Sequence, residues 1–219
     1  MADIRITALR WVPPPFQGQV RDLAVRWALE EVGASYQTRL IGPEDQDTPS
    51  YRAWQPFGKV PAYEEDAVRL FESGAIVLHI AEGTALMPAD RTARAQVNAW
   101  LIASLNSVDP NILALGDIDH FASDEPWGKQ RRPEVVRMVQ SRLNDVAAHL
   151  SGRDYLVDRF SAADIMMITV LRGLRHTTLV SNIPALLAYR DRCEARPAFR
   201  RALAAQLETF ARHAPAATA

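Results

Sequence analysis

A chain of 219 residues, 48% hydrophobic and 23% charged, has the make-up of an ordinary globular protein, with length for one large domain or two small ones. A net charge of −1 excludes a general electrostatic drive toward nucleic acid or anionic membrane. Cys193 is the only cysteine, which excludes an internal disulfide and a Cys-x-x-Cys redox pair; within the helical run 185–196 it reads as a small residue on a helix.

Residues 1–10 include Asp3, Arg5 and Arg10 and lack the apolar core of a signal peptide. The most apolar run, 165–171, is far short of the roughly 20 residues of a membrane span. A cytoplasmic protein with no membrane and no nucleic-acid partner is therefore expected. Positive charge is almost wholly arginine, Lys59 and Lys129 being the only lysines.

Taken in order, residues 4–11 alternate apolar and polar at their start, as a first strand does. Val12-Pro13-Pro14-Pro15 cannot be regular structure. Val20, Leu23, Ala24, Trp27, Ala28 and Glu31 recur at three and four, predicting a helix over 16–33 that Gly33 ends. Residues 35–41 read as a second strand, 42–49 as an acidic loop and 50–54 as one helical turn. Gln55-Pro56-Phe57-Gly58 is loop and turn, 59–63 a short extended run, Glu64-Glu65-Asp66 a tight turn, and 67–71 a strand pairing back. Glu72-Ser73-Gly74 leads into a helix over 75–81, stopped by Gly83. The order β-α-β-α-β-β-α is that of a thioredoxin-like domain, residues 1–83.

A linker, 84–90, contains Pro88. Beyond it, 91–219 is expected to form an all-helical domain, with helices over 91 to about 115, 133–150, 161–176, 184–196 and 199–212. Asp109-Pro110 should kink or break the first of these. Residues 120–132 look loop-like, and the Ala-rich end, 214–219, frayed. Ser161 as N-cap with Asp164 three residues on forms a capping-box variant, worth about 1 kcal/mol. Ile165-Met166-Met167-Ile168 is then apolar on all sides, as a helix at the centre of a bundle would be.

The richest stretch is 55–83. Pro61 cannot donate to a sheet ladder and belongs at a strand's first residue. With a cis Val60–Pro61 bond, the Val60 backbone N–H and C=O would turn outward toward another extended peptide. Ser73, in the first turn of its helix, offers hydroxyl and N–H groups to an anion, and Glu72 beside it suits a cation. Together these would grip a small extended zwitterion.

Gly58-Lys59-Val60-Pro61, ten residues, then Glu72-Ser73 ahead of an apolar helix resembles the glutathione site of the cytosolic glutathione transferase superfamily. The Ser161/Asp164 cap resembles the N-capping motif of that family's helical domain. The resemblance implies an α/β N-terminal thioredoxin-like domain plus an all-α C-terminal helical bundle, a homodimer, and glutathione as co-substrate. It assigns Val60, before cis Pro61, to the cysteinyl backbone of glutathione, Glu72 and Ser73 to its γ-glutamyl end, and Lys59 to its glycyl carboxylate.

One part of the pattern is missing. The family usually places a Tyr, Ser or Cys near the end of the first strand or the start of the first helix, where it acts on the glutathione sulfur. Between Trp11 and Arg21 this chain has no Ser, Thr, Tyr or Cys, and Pro14 occupies the expected hydroxyl position. A hydrogen bond to a charged group is worth about 1.5 to 3 kcal/mol, so its loss costs on the order of ten- to a hundredfold in thiolate. The backbone N–H groups of 16–18, with the Gln17 amide, are the expected replacements. Trp11, Pro13 and Phe16 would make an apolar wall for a hydrophobic second substrate, or simply a packed loop.

The expected activity is attack of the glutathione thiolate on an electrophilic small molecule, or glutathione-dependent disulfide reduction. Alternatives are a noncatalytic binding or protein-interaction module of this fold, and a glutathione-dependent isomerase. His79, His120, His149, His176 and His213 show no paired-ligand spacing, so no metal is expected. Arg190, Arg192, Arg196, Arg200 and Arg201 read as solvated helix faces.

Overall fold

The computed structural model describes residues 3–215, so residues 216–219 of the expected frayed end lie outside the described residues. The chain forms two compact units. One runs to Leu86 and resumes from Arg196, and the other is Met87–Ala195.

The first unit holds a sheet of four strands, β1 (Ile4–Leu9), β2 (Tyr36–Ile41), β3 (Ala62–Glu65) and β4 (Val68–Phe71), in the order β2-β1-β3-β4. β1 and β2 are parallel, and the other pairings are antiparallel. A parallel pair needs a crossover, which α1 (Asp22–Val32) supplies. Gly33, at φ +69°, ends α1 with its N–H bonded to Leu29 C=O. Ile6, Leu23, Trp27, Leu29 and Tyr51 are fully buried. Each buried aliphatic side chain contributes about 1.5–3 kcal/mol.

α1 begins at Asp22, six residues later than the periodicity of its apolar positions suggests. Pro14–Phe16 instead closes a 3-10 turn, with Phe16 N–H donating to Pro13 C=O at 2.9 Å. Gly18, at φ +74°, then takes the backbone out of the α region. The acidic loop expected over 42–49 contains a short helix, α2 (Pro43–Gln46), and the helical turn expected over 50–54 is α3 (Pro49–Arg52). Each opens on a proline at its first position, where the missing N–H has no helical acceptor to lose. Glu64 and Glu65 remain in β3, and the hairpin turns one residue later, at Asp66 with φ +50°. α4 (Ser73–Ala81) follows β4.

The last helix of the chain, α10 (Pro197–Arg212), packs on α1 within this unit, where Trp27 and Phe199 meet edge to face at 4.8 Å. The buried Gln206 amide donates to Val20 C=O at 3.2 Å and to Asp22 Oδ1 at 2.7 Å. Arg196 and Arg201 are not simply solvated: they pair with Glu31 and Glu30 of α1.

The second unit is helical: α5 (Arg91–Ala103), α6 (Asp109–Phe121), α7 (Pro126–His149), α8 (Ala162–Leu171) and α9 (Pro184–Glu194). A π-helical turn, Ser104–Val108, separates α5 from α6, where Asp109-Pro110 predicts a break. Pro110 has no N–H to continue the ladder. The loop expected over 120–132 shrinks to 122–125, because Pro126 can start α7 and Pro133 is tolerated inside it. Every residue of α8 is buried. Asp164 caps it as expected, accepting from Ser161 N–H at 2.9 Å and Ser161 Oγ at 3.2 Å. It also accepts from Leu156 N–H at 3.0 Å and the Tyr189 hydroxyl at 2.8 Å. Cys193 is buried in α9. Among the described residues, no helix is long and apolar enough to cross a membrane.

Candidate functional site

Sheet register brings the motifs of the first unit together. Ile6 lies opposite Tyr63 in the antiparallel β1–β3 pair, and Ala62 opposite Phe71 in the antiparallel β3–β4 pair. The exit of β1, the entry to β3 and the exit of β4 therefore share one edge. Lys59-Val60-Pro61, Glu72-Ser73 and the connection 10–21 all lie at that edge.

The segment before β3 is held by side chains. Gln55 Oε1 accepts from Phe57 N–H at 2.7 Å and Lys59 N–H at 3.1 Å. Gln46 Nε2 donates to Gly58 C=O at 2.7 Å, and the Tyr51 hydroxyl to Lys59 C=O at 2.6 Å. Ala62 N–H donates to Thr7 Oγ1 at 2.7 Å. Gly58 sits at φ +63°, and a Cβ there would lie 2.8 Å from Gln46 O, so only glycine fits. The Val60–Pro61 bond is cis. Val60 is the exception to this anchoring: no hydrogen bond involves its N–H or C=O among the described residues.

Glu72, between β4 and α4, sits at φ +69°, an uncommon backbone conformation for a non-glycine residue and a frequent mark of a functional position. It is exposed, and its side chain does not cap α4. Ser73, the first residue of α4, is only 6% exposed, and its hydroxyl makes no hydrogen bond among the described residues. The first-turn N–H groups of α4 have no helical acceptors, and the helix dipole adds positive potential there. This corner suits an anion. Lys59 is exposed at the same edge.

The connection between β1 and α1 differs from expectation. Since α1 starts at Asp22, residues 16–18 are not a helix N-terminus. Phe16 N–H is bonded to Pro13 C=O and Gln17 N–H to Pro14 C=O. Gln17 Nε2 donates to Val12 C=O at 3.1 Å. Backbone N–H groups at Phe16 and Gln17 are thus already engaged, which removes them as substitutes for the missing hydroxyl. Trp11 and Phe16 are half-buried and Pro13 exposed in this connection.

Sequence reasoning missed Thr7, Gln46, Tyr51 and Gln55 as the anchors of the site. A long amide just before Pro-x-Gly is a signal for Gln55, because a side-chain oxygen there can bond the backbone two residues on. It also missed a cluster in the second unit: the His120 and His176 rings lie 4.6 Å apart, and Asp119 accepts from His176 Nε2 at 3.0 Å and from Arg132 at 2.6 Å. No spacing along the chain reveals that pair. Among the described residues, no cluster of three or more His, Cys, Asp or Glu forms a metal site.

The family model for the glutathione S-transferase N-terminal domain matches residues 16–82, and that for the C-terminal domain matches 117–197. Glutathione S-transferase 4 of Zea mays is 31% identical over 212 residues, covering 90% of this chain and 92% of that protein. The chain belongs to the glutathione transferase superfamily. Two solved glutathione transferases share its fold. The Burkholderia graminis enzyme, solved with two glutathione molecules per subunit, is 28% identical with a TM-score of 0.80, covering 92% of this chain and 87% of that one. A family member from Pseudomonas fluorescens, solved with two glutathione bound, is 25% identical with a TM-score of 0.78, covering 91% and 92%. In this chain the N-terminal match takes in Lys59, Val60, Pro61, Glu72 and Ser73.

Proposed function

We propose that this glutathione transferase binds glutathione at the sheet edge and uses its thiolate, either to attack an electrophilic small molecule or to exchange with a disulfide. The observation that carries the reading is two groups at that edge that make no hydrogen bond among the described residues: the Val60 backbone and the hydroxyl of Ser73, a largely buried residue at the start of α4. In this reading Val60 pairs with the cysteinyl backbone, Ser73 and the first-turn N–H groups hold the γ-glutamyl carboxylate, Glu72 holds its ammonium, and Lys59 the glycyl carboxylate. Trp11, Pro13 and Phe16 border the second substrate.

Disulfide exchange suits this chain best. A thiolate attacks one sulfur of a disulfide, forms the mixed disulfide and expels the other sulfur as thiolate; a second glutathione resolves the product. The reaction needs two glutathione molecules in turn, and the Burkholderia graminis relative holds two per subunit. A free thiol near pKa 8.5 is already a few per cent ionised at neutral pH, so the nucleophile is available without the absent hydroxyl. Gln17 is the candidate thiol-stabilising side chain, its amide fixed in the loop through Val12. A homodimer is the expected assembly.

A noncatalytic glutathione-binding role is the second reading, favoured by the engaged N–H groups of Phe16 and Gln17. Reduction of a small mixed disulfide with glutathione as the only reductant separates the two. Turnover supports the enzyme, and binding without turnover supports the module.

A further inference from the structure

We propose that Tyr51, acting with Thr7, is a positioning residue for glutathione: it sets the backbone of Lys59 to Ala62 so that Val60 can pair with the bound peptide. The inference rests on the reading of Val60 given above.

The hydrogen-bond directions follow from counting protons. A tyrosine hydroxyl has one proton to give, and Tyr51 gives it to Lys59 C=O at 2.6 Å. The 2.9 Å contact between Tyr51 and Thr7 hydroxyls must then run from Thr7 O–H to the Tyr51 oxygen. Thr7 Oγ1 in turn accepts Ala62 N–H at 2.7 Å. The result is one directed chain, Ala62 N–H to Thr7, Thr7 to Tyr51, Tyr51 to Lys59 C=O.

Both hydroxyl residues are fully buried, with relative exposures of 0%. In such surroundings a satisfied polar chain fixes geometry, and a broken one leaves buried groups unpaired. The two ends of the chain tie the residues flanking Val60-Pro61 to different elements, α3 and β1. The chain skips Val60 and leaves its N–H and C=O for a ligand. Burial also raises the phenol pKa of Tyr51, so the proton stays in place at neutral pH. With that proton committed to Lys59, Tyr51 is no substitute for the hydroxyl missing near Pro14.

The test is calorimetric titration of the full chain with glutathione, well below each variant's unfolding midpoint, with the ultraviolet thiolate band followed against pH in the bound state. Tyr51→Phe should raise Kd by roughly three- to tenfold, the value of a neutral hydrogen bond, at unchanged stoichiometry and unchanged bound-thiol pKa. Thr7→Val should weaken binding similarly, Thr7→Ser should keep wild-type affinity, and the double variant Thr7→Val/Tyr51→Phe should lose less than the two losses added. Wild-type Kd in Tyr51→Phe, additive losses, or reduced stoichiometry at unchanged Kd would overturn the positioning role while leaving the glutathione site intact. Absence of binding by the parent chain would overturn both.

Discussion

The Glu31 carboxylate on α1 accepts from two of the guanidinium nitrogens of Arg196, Nε and Nη2, at 2.6 and 2.7 Å, and from the Trp27 indole N–H at 2.9 Å. Arg196 stands at the N-terminus of α10, so this fork ties the end of the chain to the helix that follows the site loop. Hydrogen bonds to charged groups are worth about 1.5–3 kcal/mol, and Glu31 is nearly buried at 9% side-chain exposure. Arg196→Ala is expected to lower unfolding free energy by about 1–3 kcal/mol in urea titrations, whereas the exposed Arg200→Ala should stay within about 0.5 kcal/mol.

Asp164 carries four donors inside the second unit. Removing one by Tyr189→Phe should cost about 1.5–3 kcal/mol, and Asp164→Ala, which empties the cap and strands the other donors, about 3–5 kcal/mol. Burial raises the Asp164 carboxyl against the opposing pull of those donors. A raised carboxyl pKa means the folded state binds the proton more tightly than the unfolded one. Its contribution should therefore grow on acidification and fall as pH rises through the folded value. Urea midpoints of wild type and Asp164→Asn across pH 4 to 7 check the direction.

Glu65 behaves oppositely. The His79 ring at 2.9 Å, then the Tyr63 hydroxyl at 2.8 Å, hold its carboxyl below the usual range. A lowered pKa gives stability that is present above the unfolded carboxylate value, about 4.3, and lost as pH falls through the folded value. Glu65→Gln should lower Tm at neutral pH, and the difference from wild type should close in thermal melts below about pH 4.

Gly58→Ala places a Cβ 2.8 Å from Gln46 O at a φ of +63°. The expected cost is about 1–3 kcal/mol, together with weakened glutathione binding, since the same turn carries Lys59 and Val60. Calorimetry and urea titration on one preparation measure both effects.

Much of the fold is legible in the sequence because its signals are local. Gly33 ends α1, Asp109-Pro110 interrupts the long helix, and Ser161 with Asp164 opens a helix with no polar face. The start of α1 is not legible, because Val20, Leu23 and Ala24 keep helical spacing while the prolines and Gly18 upstream dictate another path. The motifs at 59–61 and 72–73 are visible in the chain, but what holds them is not. Thr7 and Tyr51 lie 44 residues apart and meet only through the sheet, and His120 and His176 meet only when α6 and the turn after α8 pack together.

The most direct test of the account is glutathione binding by this chain and by Ser73→Ala, measured calorimetrically with the ultraviolet thiolate band followed against pH. The account predicts binding with a bound-thiol pKa below the free value of about 8.5, and affinity lowered by roughly ten- to a hundredfold in Ser73→Ala. No binding, or binding indifferent to Ser73, would contradict the assignment of the sheet edge as the glutathione site.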